Sequence, residues 1–178
     1  MELKVVDDGL EVPPDDKTVG EVWARGETIT PGYWNRPQET EAAFEKGWFK
    51  TGDLAVIDEE GYLNIVDRRK DVIISGGENI FSTEVEYVLY EHPAVLECAV
   101  VGVPDEKWGE AVKAVVVKRP GQDVSARELI NFVKKKLASF KAPKSVDFID
   151  QLPKTGSGKI MKRALKEKYW KGKAKRVH

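Results

Sequence analysis

Through residues 1–67 the apolar and polar positions alternate in short, interrupted runs; after that the apolar runs lengthen. Leu3-Lys4-Val5-Val6 and Gly20-Glu21-Val22-Trp23-Ala24 read as half-buried strands, with Asp8-Gly9 a turn signal and Pro13-Pro14-Asp15-Asp16 a loop. Pro31-Gly32-Tyr33-Trp34 breaks the pattern, and residues 37–44 predict a short helix. Residues 54–57 and 62–66 predict a hairpin around Glu60-Gly61. Little in this stretch amounts to a continuous core, so it is expected to complete a larger body.

Residues 71–150 read as a compact α+β domain with a short sheet flanked by helices. Asp71-Val72-Ile73-Ile74 predicts a strand that Gly76-Gly77 breaks before a helix start. Thr83 with Glu86 fits a capping box, and Val85, Val88 and Leu89 then form a helical stripe. Residues 95–103 predict a long apolar strand, and residues 111–117 a second one. Ser125 with Glu128 is a second capping box. It opens a helix with Leu129, Val133, Leu137 and Phe140 on one face, which Pro143 ends. Residues 146–149 predict a last strand, followed by a glycine-rich loop and a strongly basic helix to the end.

Charge sharpens this division. The net charge of -1 conceals 16 acids and 6 bases in residues 1–67, a net of -10, against 14 acids and 23 bases in residues 68–178, a net of +9. The sign change points to two units, and the basic one suits an anionic ligand. A single cysteine, Cys98, excludes an intrachain disulfide; with only His92 and His178 beside it, a closed zinc site is excluded as well. No apolar run is long enough for a transmembrane helix, and Met1-Glu2-Leu3-Lys4 opens no secretory signal, so a cytoplasmic protein is expected.

The strongest chemical signal is Leu152-Pro153-Lys154-Thr155-Gly156-Ser157-Gly158-Lys159, where glycines admit a phosphate and a lysine offers a compact charge. It is not a Walker loop. Ile160 stands where Ser or Thr would ligate magnesium, and Pro153 where the first glycine belongs. By spacing alone it is equally a solvated basic loop. Asp53, in Thr51-Gly52-Asp53, has the chemistry to accept both hydroxyls of a ribose from a tight turn, though turn aspartates are common. Arg68, in Asp67-Arg68-Arg69-Lys70-Asp71, has the chemistry to grip a ribose or phosphate, or belongs to a linker charge run. Gly76-Gly77 is a turn that either admits a narrow ligand or is merely tight. Trp108, in a polar loop, either lines a ligand path or anchors the loop.

Taken together and in order, Gly32-Tyr33-Trp34, Phe49-Lys50-Thr51-Gly52-Asp53, Asp67-Arg68-Arg69-Lys70-Asp71, Ser75-Gly76-Gly77-Glu78-Asn79-Ile80, Trp108-Gly109-Glu110 and Pro153-Lys154-Thr155 through Gly158-Lys159 resemble the adenylate-forming enzymes. That family includes acyl-CoA synthetases, firefly luciferase and peptide-synthetase adenylation domains. The resemblance covers nearly the whole chain. It implies a C-terminal portion of an acyl-CoA synthetase: residues 1–67 the end of the N-terminal AMP-binding domain, residues 68–178 the mobile C-terminal domain. It implies that Asp53, Arg68 and Thr51 serve the nucleotide, that Lys70 is the hinge, and that Lys159 acts in adenylation. Gly76, Gly77, Glu78 and Trp108 would then help form the path of coenzyme A.

The implied partners are a carboxylic acid (a fatty acid by default), ATP with Mg2+ and coenzyme A, with the magnesium ligand and the acyl pocket outside this chain. The chain is accordingly expected to be a fragment, inactive alone. The alternatives are an adenylation domain loading a carrier protein, or a free-standing binding or regulatory remnant. Residues 154–178 hold ten Lys or Arg and one acid, Glu167, but no nucleic-acid fold motif, so no nucleic-acid partner is expected.

Overall fold

In the computed structural model, which describes residues 1–172, the chain divides into two compact units, Met1–Lys70 and Asp71–His178. Charge had suggested a division between residues 67 and 68; the units part a few residues later.

The first unit is a six-stranded antiparallel sheet: β1 (Glu2–Asp7), β2 (Leu10–Glu11), β3 (Gly20–Arg25), β4 (Phe44–Glu45), β5 (Trp48–Ile57) and β6 (Leu63–Arg68). The order is β2-β1-β3-β5, with both β4 and β6 pairing β5. Helix α1 (Pro37–Ala43) takes its proline in the first turn, where the missing N–H costs nothing, and buries no residue. The expected hairpin is β5–β6, although β5 begins earlier than periodicity indicated and takes in Thr51-Gly52-Asp53. The core is small, as expected: Val5, Val12, Val22 and Ala55, with Ile57 and Leu63 against them. Trp34, 96% exposed, and Tyr62 remain outside it.

After a 3-10 turn (Arg69–Asp71) that spans the boundary, the second unit holds β7 (Ile73–Ser75), β8 (Glu78–Ile80), α2 (Ser82–Tyr90), β9 (Val95–Asp105), β10 (Gly109–Lys118), α3 (Ala126–Lys134), β11 (Ser145–Phe148) and α4 (Lys162–Trp170). The sheet order is β11-β10-β7-β8, with β9 along the other side of β10; all pairs are antiparallel except β10–β11. Both faces are covered, which explains the continuous apolar runs. Cys98, Val100, Val112, Ala114 and Val116 pack with α2 and α3, beside Val85, Leu89, Leu129 and Val133. Ala99, Val101, Val115 and Val117 face the other way, against Leu152 and Leu165 of the C-terminal segment. Full burial of each valine or leucine among these contributes about 1.5–3 kcal/mol.

Several local expectations are overturned. Gly76-Gly77 leads into the strand β8 and not into a helix. With φ of 62° and 88° the two glycines form a two-residue hairpin turn. Thr83 and Glu86 form no capping box. The N-cap of α2 is Phe81, with no side-chain cap, and the Glu86 carboxylate instead accepts the Val100 backbone N–H at 2.7 Å. The Ser125–Glu128 box is present in both directions, and the Ser125 hydroxyl and N–H hold the Glu128 carboxyl below its ordinary value. Helix α3 ends at Lys134, well before Pro143. There the Lys136 N–H reaches back only three residues, to Val133 O, so the turn tightens and the stripe loses its register: Leu137 still packs, but Phe140 is 44% exposed. Beyond α4, the expected continuation of the basic helix falls partly outside the described residues.

Burial pushes the Cys98 thiol up to about 12, the Glu86 charge adding to the effect. At pH 8 the folded chain is therefore expected to react with iodoacetamide at least about a hundredfold more slowly than the urea-unfolded chain. Equal rates would show that Cys98 is not held in this core. No described helix is long and apolar enough to cross a membrane.

Candidate active-site elements

The nucleotide candidates lie in the first unit. Asp53 and Arg68 are cross-strand partners on β5 and β6, and the Arg68 Nε–Asp53 Oδ1 distance is 2.9 Å. Asp53 does not sit in a turn. It follows a bulge in β5, where Gly52 takes φ 76° and the register slips against β3. The Thr51 hydroxyl donates to Val22 O at 2.8 Å and accepts the Asp53 N–H at 3.1 Å, so Thr51 shapes the bulge. Among the described residues the second Asp53 oxygen has no protein partner. The ion pair is too exposed to add much stability, roughly 0–1 kcal/mol; its chemical content is an oriented carboxylate beside a guanidinium.

Sequence reasoning missed Glu21, which is 8% exposed. Its Oε1 accepts the Gly52 N–H at 3.1 Å; its Oε2 accepts Arg69 Nη1 at 3.0 Å and the Trp23 indole N–H at 3.4 Å. One buried carboxylate thus holds both the bulge and the residue before Lys70. The visible signal was a glutamate inside an otherwise buried strand, Gly20-Glu21-Val22-Trp23-Ala24. Lys70 stands exposed in the 3-10 turn at the end of the first unit.

In the second unit Gly76, Gly77 and Trp108 come together. The Gly76 N–H donates to Trp108 O at 2.9 Å, and a Cβ added at Gly76 would meet Trp108 Cε3 at 2.7 Å, so the indole lies on Gly76. A Cβ at Gly77 would meet nothing within 4 Å. Trp108 is both a loop anchor and a surface: its ring remains 42% exposed, with Lys107 Nζ 4.6 Å from its centroid. Asp105 Oδ1 accepts the Lys107 and Trp108 N–H groups, each at 2.9 Å, and fixes this loop. Glu78 follows the turn and is exposed.

The loop carrying Lys159 has a pinned base and an open tip. Lys154 and Ile160 form an antiparallel bridge, and the Met161 N–H donates to Pro153 O at 2.8 Å. The Thr155 N–H donates to Lys159 O, the Gly158 N–H to Thr155 O, and the Lys159 N–H to the Thr155 hydroxyl. Below the base, Leu152 is buried, Ile160 packs on the sheet and Lys154 pairs with Glu97. Lys162 Nζ contacts Glu86 Oε1 at 2.7 Å and Ser82 Oγ at 2.8 Å. Farther along α4, Lys113 and the Tyr169 hydroxyl both hold Asp147, each at 2.6 Å. Burial works to raise that carboxyl, but these bonds outweigh it and hold it below the ordinary range. The Lys159 side chain is exposed and makes no ion pair among the described residues. A free ammonium on a rigid base is the arrangement that meets an anion without reorganisation. Among the described residues no three or more His, Cys, Asp or Glu are grouped to hold a metal.

Residues 84–159 match the family described as AMP-binding enzyme C-terminal domain. The feruloyl-CoA synthase of Amycolatopsis sp is 49% identical over 90% of this chain and 32% of that protein. The fatty acid–[acyl-carrier-protein] ligase ScoC of Streptomyces coeruleorubidus is 46% identical over 98% of this chain and 34% of its own length. Among solved structures, the o-succinylbenzoate CoA synthetase MenE of Bacillus subtilis, in complex with its acyl-adenylate intermediate, superposes with a TM-score of 0.85. It is 44% identical over 93% of this chain and 33% of that one. The chain thus spans about a third of the length of the curated relatives it matches. The motif order and these matches agree: the chain carries the C-terminal domain of the AMP-binding enzymes, and it is similar to adenylate-forming CoA ligases over part of their length.

Proposed function

We propose that this chain is the C-terminal part of an ATP-dependent acid–thiol ligase, an acyl-CoA synthetase. In the first half-reaction a carboxylate oxygen of the acid attacks the α-phosphorus of ATP. The bond to the β-phosphate oxygen breaks, and pyrophosphate leaves with its electron pair. In the second, the sulfur of coenzyme A attacks the acyl carbonyl, its proton is lost, and AMP leaves. Lys159 stabilises the charge at the α-phosphate in the first step. Asp53 accepts the ribose hydroxyls, with Arg68 beside it and Thr51 holding the bulge. Gly76, Gly77, Glu78 and Trp108 guide the pantetheine arm in the second. The unpaired Lys159 ammonium on its pinned loop supports this reading most directly.

Two half-reactions at one carbonyl need different groups there in turn, which a mobile domain can supply. Residues 1–67 are read as the end of the AMP-binding domain and residues 68–178 as that mobile domain, with Lys70 as the hinge. The compact units themselves part after Lys70. The acid is left as a carboxylic acid: the relatives named act, by their names, on feruloyl and fatty acyl groups, and the default to a fatty acid has no support of its own.

The test is to join the chain to the coding region upstream of it and assay the intact protein. With ATP, coenzyme A and a panel of aryl and fatty acids, acid-dependent pyrophosphate release and an acyl thioester are expected. No pyrophosphate with any acid would sink the reading. Because one relative is named for an acyl-carrier-protein, that acceptor belongs in the same assay; transfer to it alone would replace coenzyme A. A substitution separates the steps. Gly77→Leu places a side chain in the open space beside Trp108, at a left-handed φ that costs about 1–2 kcal/mol. It is expected to slow thioester formation at least about tenfold and to leave acyl-adenylate formation within about twofold. A fall in adenylation instead would show the turn misassigned.

A further inference from the structure

Glu110 stands on β10 just after the Trp108 loop, and its side chain turns away from that loop towards β7. Its Oε2 accepts the Ile74 backbone N–H at 3.2 Å, two residues before Gly76. The same carboxylate lies against the α-carbon of Gly102 on β9. A Cβ built on Gly102 would overlap Glu110 Oε2, stand 2.9 Å from its Cδ and 3.2 Å from Ile73 Cγ2. Gly102 is not among the glycines with a left-handed φ, so space alone demands glycine there. Strand β7 has only three residues and meets β10 at the single pair Gly109–Ser75. Within that pairing the Gly76 N–H donates to Trp108 O, and one further bond, Ile74 N–H to Glu110, ties the strand there.

We propose that Glu110 is a positioning residue for acyl transfer to the thiol. Its carboxylate, admitted by the missing side chain of Gly102, holds β7 in register, and so sets the Gly76-Gly77 turn beneath the Trp108 ring. The inference rests on the reading of that turn as the thiol-side element. Glu110 touches no substrate in this account; it acts through the turn.

In the intact enzyme, Glu110→Ala and Gly102→Ala are each expected to slow thioester formation at least about tenfold and to raise KM for coenzyme A. Acyl-adenylate formation is expected to stay within about twofold. The double variant is expected to match the single ones, since both remove one contact. Glu110→Gln, which keeps an acceptor oxygen, is expected to restore most of the rate. An equal fall in adenylation, or losses that multiply in the double variant, overturns the proposal.

A second measurement uses the 178-residue chain without any assay. Backbone amide exchange at Ile74 and Gly76 is expected to quicken in both single variants while β9 and β10 stay protected. Unchanged exchange overturns the clamp, and faster exchange with an unchanged thioester rate overturns its role in transfer. A wild-type enzyme that adenylates its acid yet passes nothing to coenzyme A removes the reading beneath the proposal and the proposal with it. The exchange result then still tells whether the contact holds β7.

Discussion

Lys159→Ala in the intact enzyme is expected to lower acyl-adenylate formation by about 10²–10³-fold, the loss that follows removal of one positioned donor from a developing charge. The size follows from how the loop is built. The bridge between Lys154 and Ile160 and the bond from Met161 N–H to Pro153 O fix the base, and Thr155 organises the tip through its backbone and hydroxyl. The ammonium extends from that frame with no ion pair among the described residues, so its charge is not spent within the fold. Truncation at an exposed, unpaired position should leave stability within about 0.5 kcal/mol, which a melting curve checks.

Thioester formation from supplied acyl-adenylate is expected to stay within about twofold, because the Gly76-Gly77 turn, proposed above for the thiol step, shares no described hydrogen bond with this loop. Lys159→Arg is expected to recover only part of the rate: a planar fork does not replace a point charge. Pyrophosphate release and thioester formation, measured separately, decide the matter; equal loss in both would mean that Lys159 is not confined to adenylation.

What was legible in the sequence was whatever local physics fixes. The Ser125–Glu128 box formed because both partners lie within one turn of α3 and nothing else competes for them. The same spacing at Thr83 and Glu86 gave none because α2 begins earlier, with Phe81 as its N-cap, while the Glu86 carboxylate meets two groups far along the chain, the Val100 N–H and the Lys162 ammonium. Gly76-Gly77 was readable as a turn, since two adjacent glycines accept positive φ at little cost. That a strand and not a helix follows it depends on how β7 and β8 pair with each other and with β10, which no local pattern carries. The candidate site residues were singled out by motif, but the groups holding them were not. Glu21 is separated from Gly52 by 31 positions and from Arg69 by 48. Such carboxylates declare themselves in sequence only as a charge where the strand pattern calls for an apolar residue.

Glu86→Ala is expected to destabilise the second unit by about 3–5 kcal/mol, the cost of breaking a largely buried ion pair on one side. The Glu86 and Lys162 side chains are 14% and 15% exposed, so little solvent screens the charge left behind. Two groups lose a partner: the Lys162 ammonium loses its counter-charge and keeps the bond to Ser82 Oγ, and the Val100 N–H, on the outer edge of β9, loses its acceptor. At roughly 4–8 °C per kcal/mol for a unit of this size, the melting point of the 178-residue chain should fall by more than about 10 °C. Lys162→Met alone should also destabilise, by removing the counter-charge of a carboxylate that keeps the Val100 N–H. Glu86→Leu with Lys162→Met should recover a large part, because two apolar side chains need no compensation; the Val100 N–H still lacks its acceptor and the Ser82 hydroxyl still lacks Lys162. Since Lys162 lies three residues beyond Lys159, the same variants distinguish two roles for the pair. If the double variant regains stability and adenylation together, the pair serves the fold. If stability returns while adenylation stays low, the charge pair itself sets the height of the Lys159 loop, and α4 is part of the machinery and not only its support.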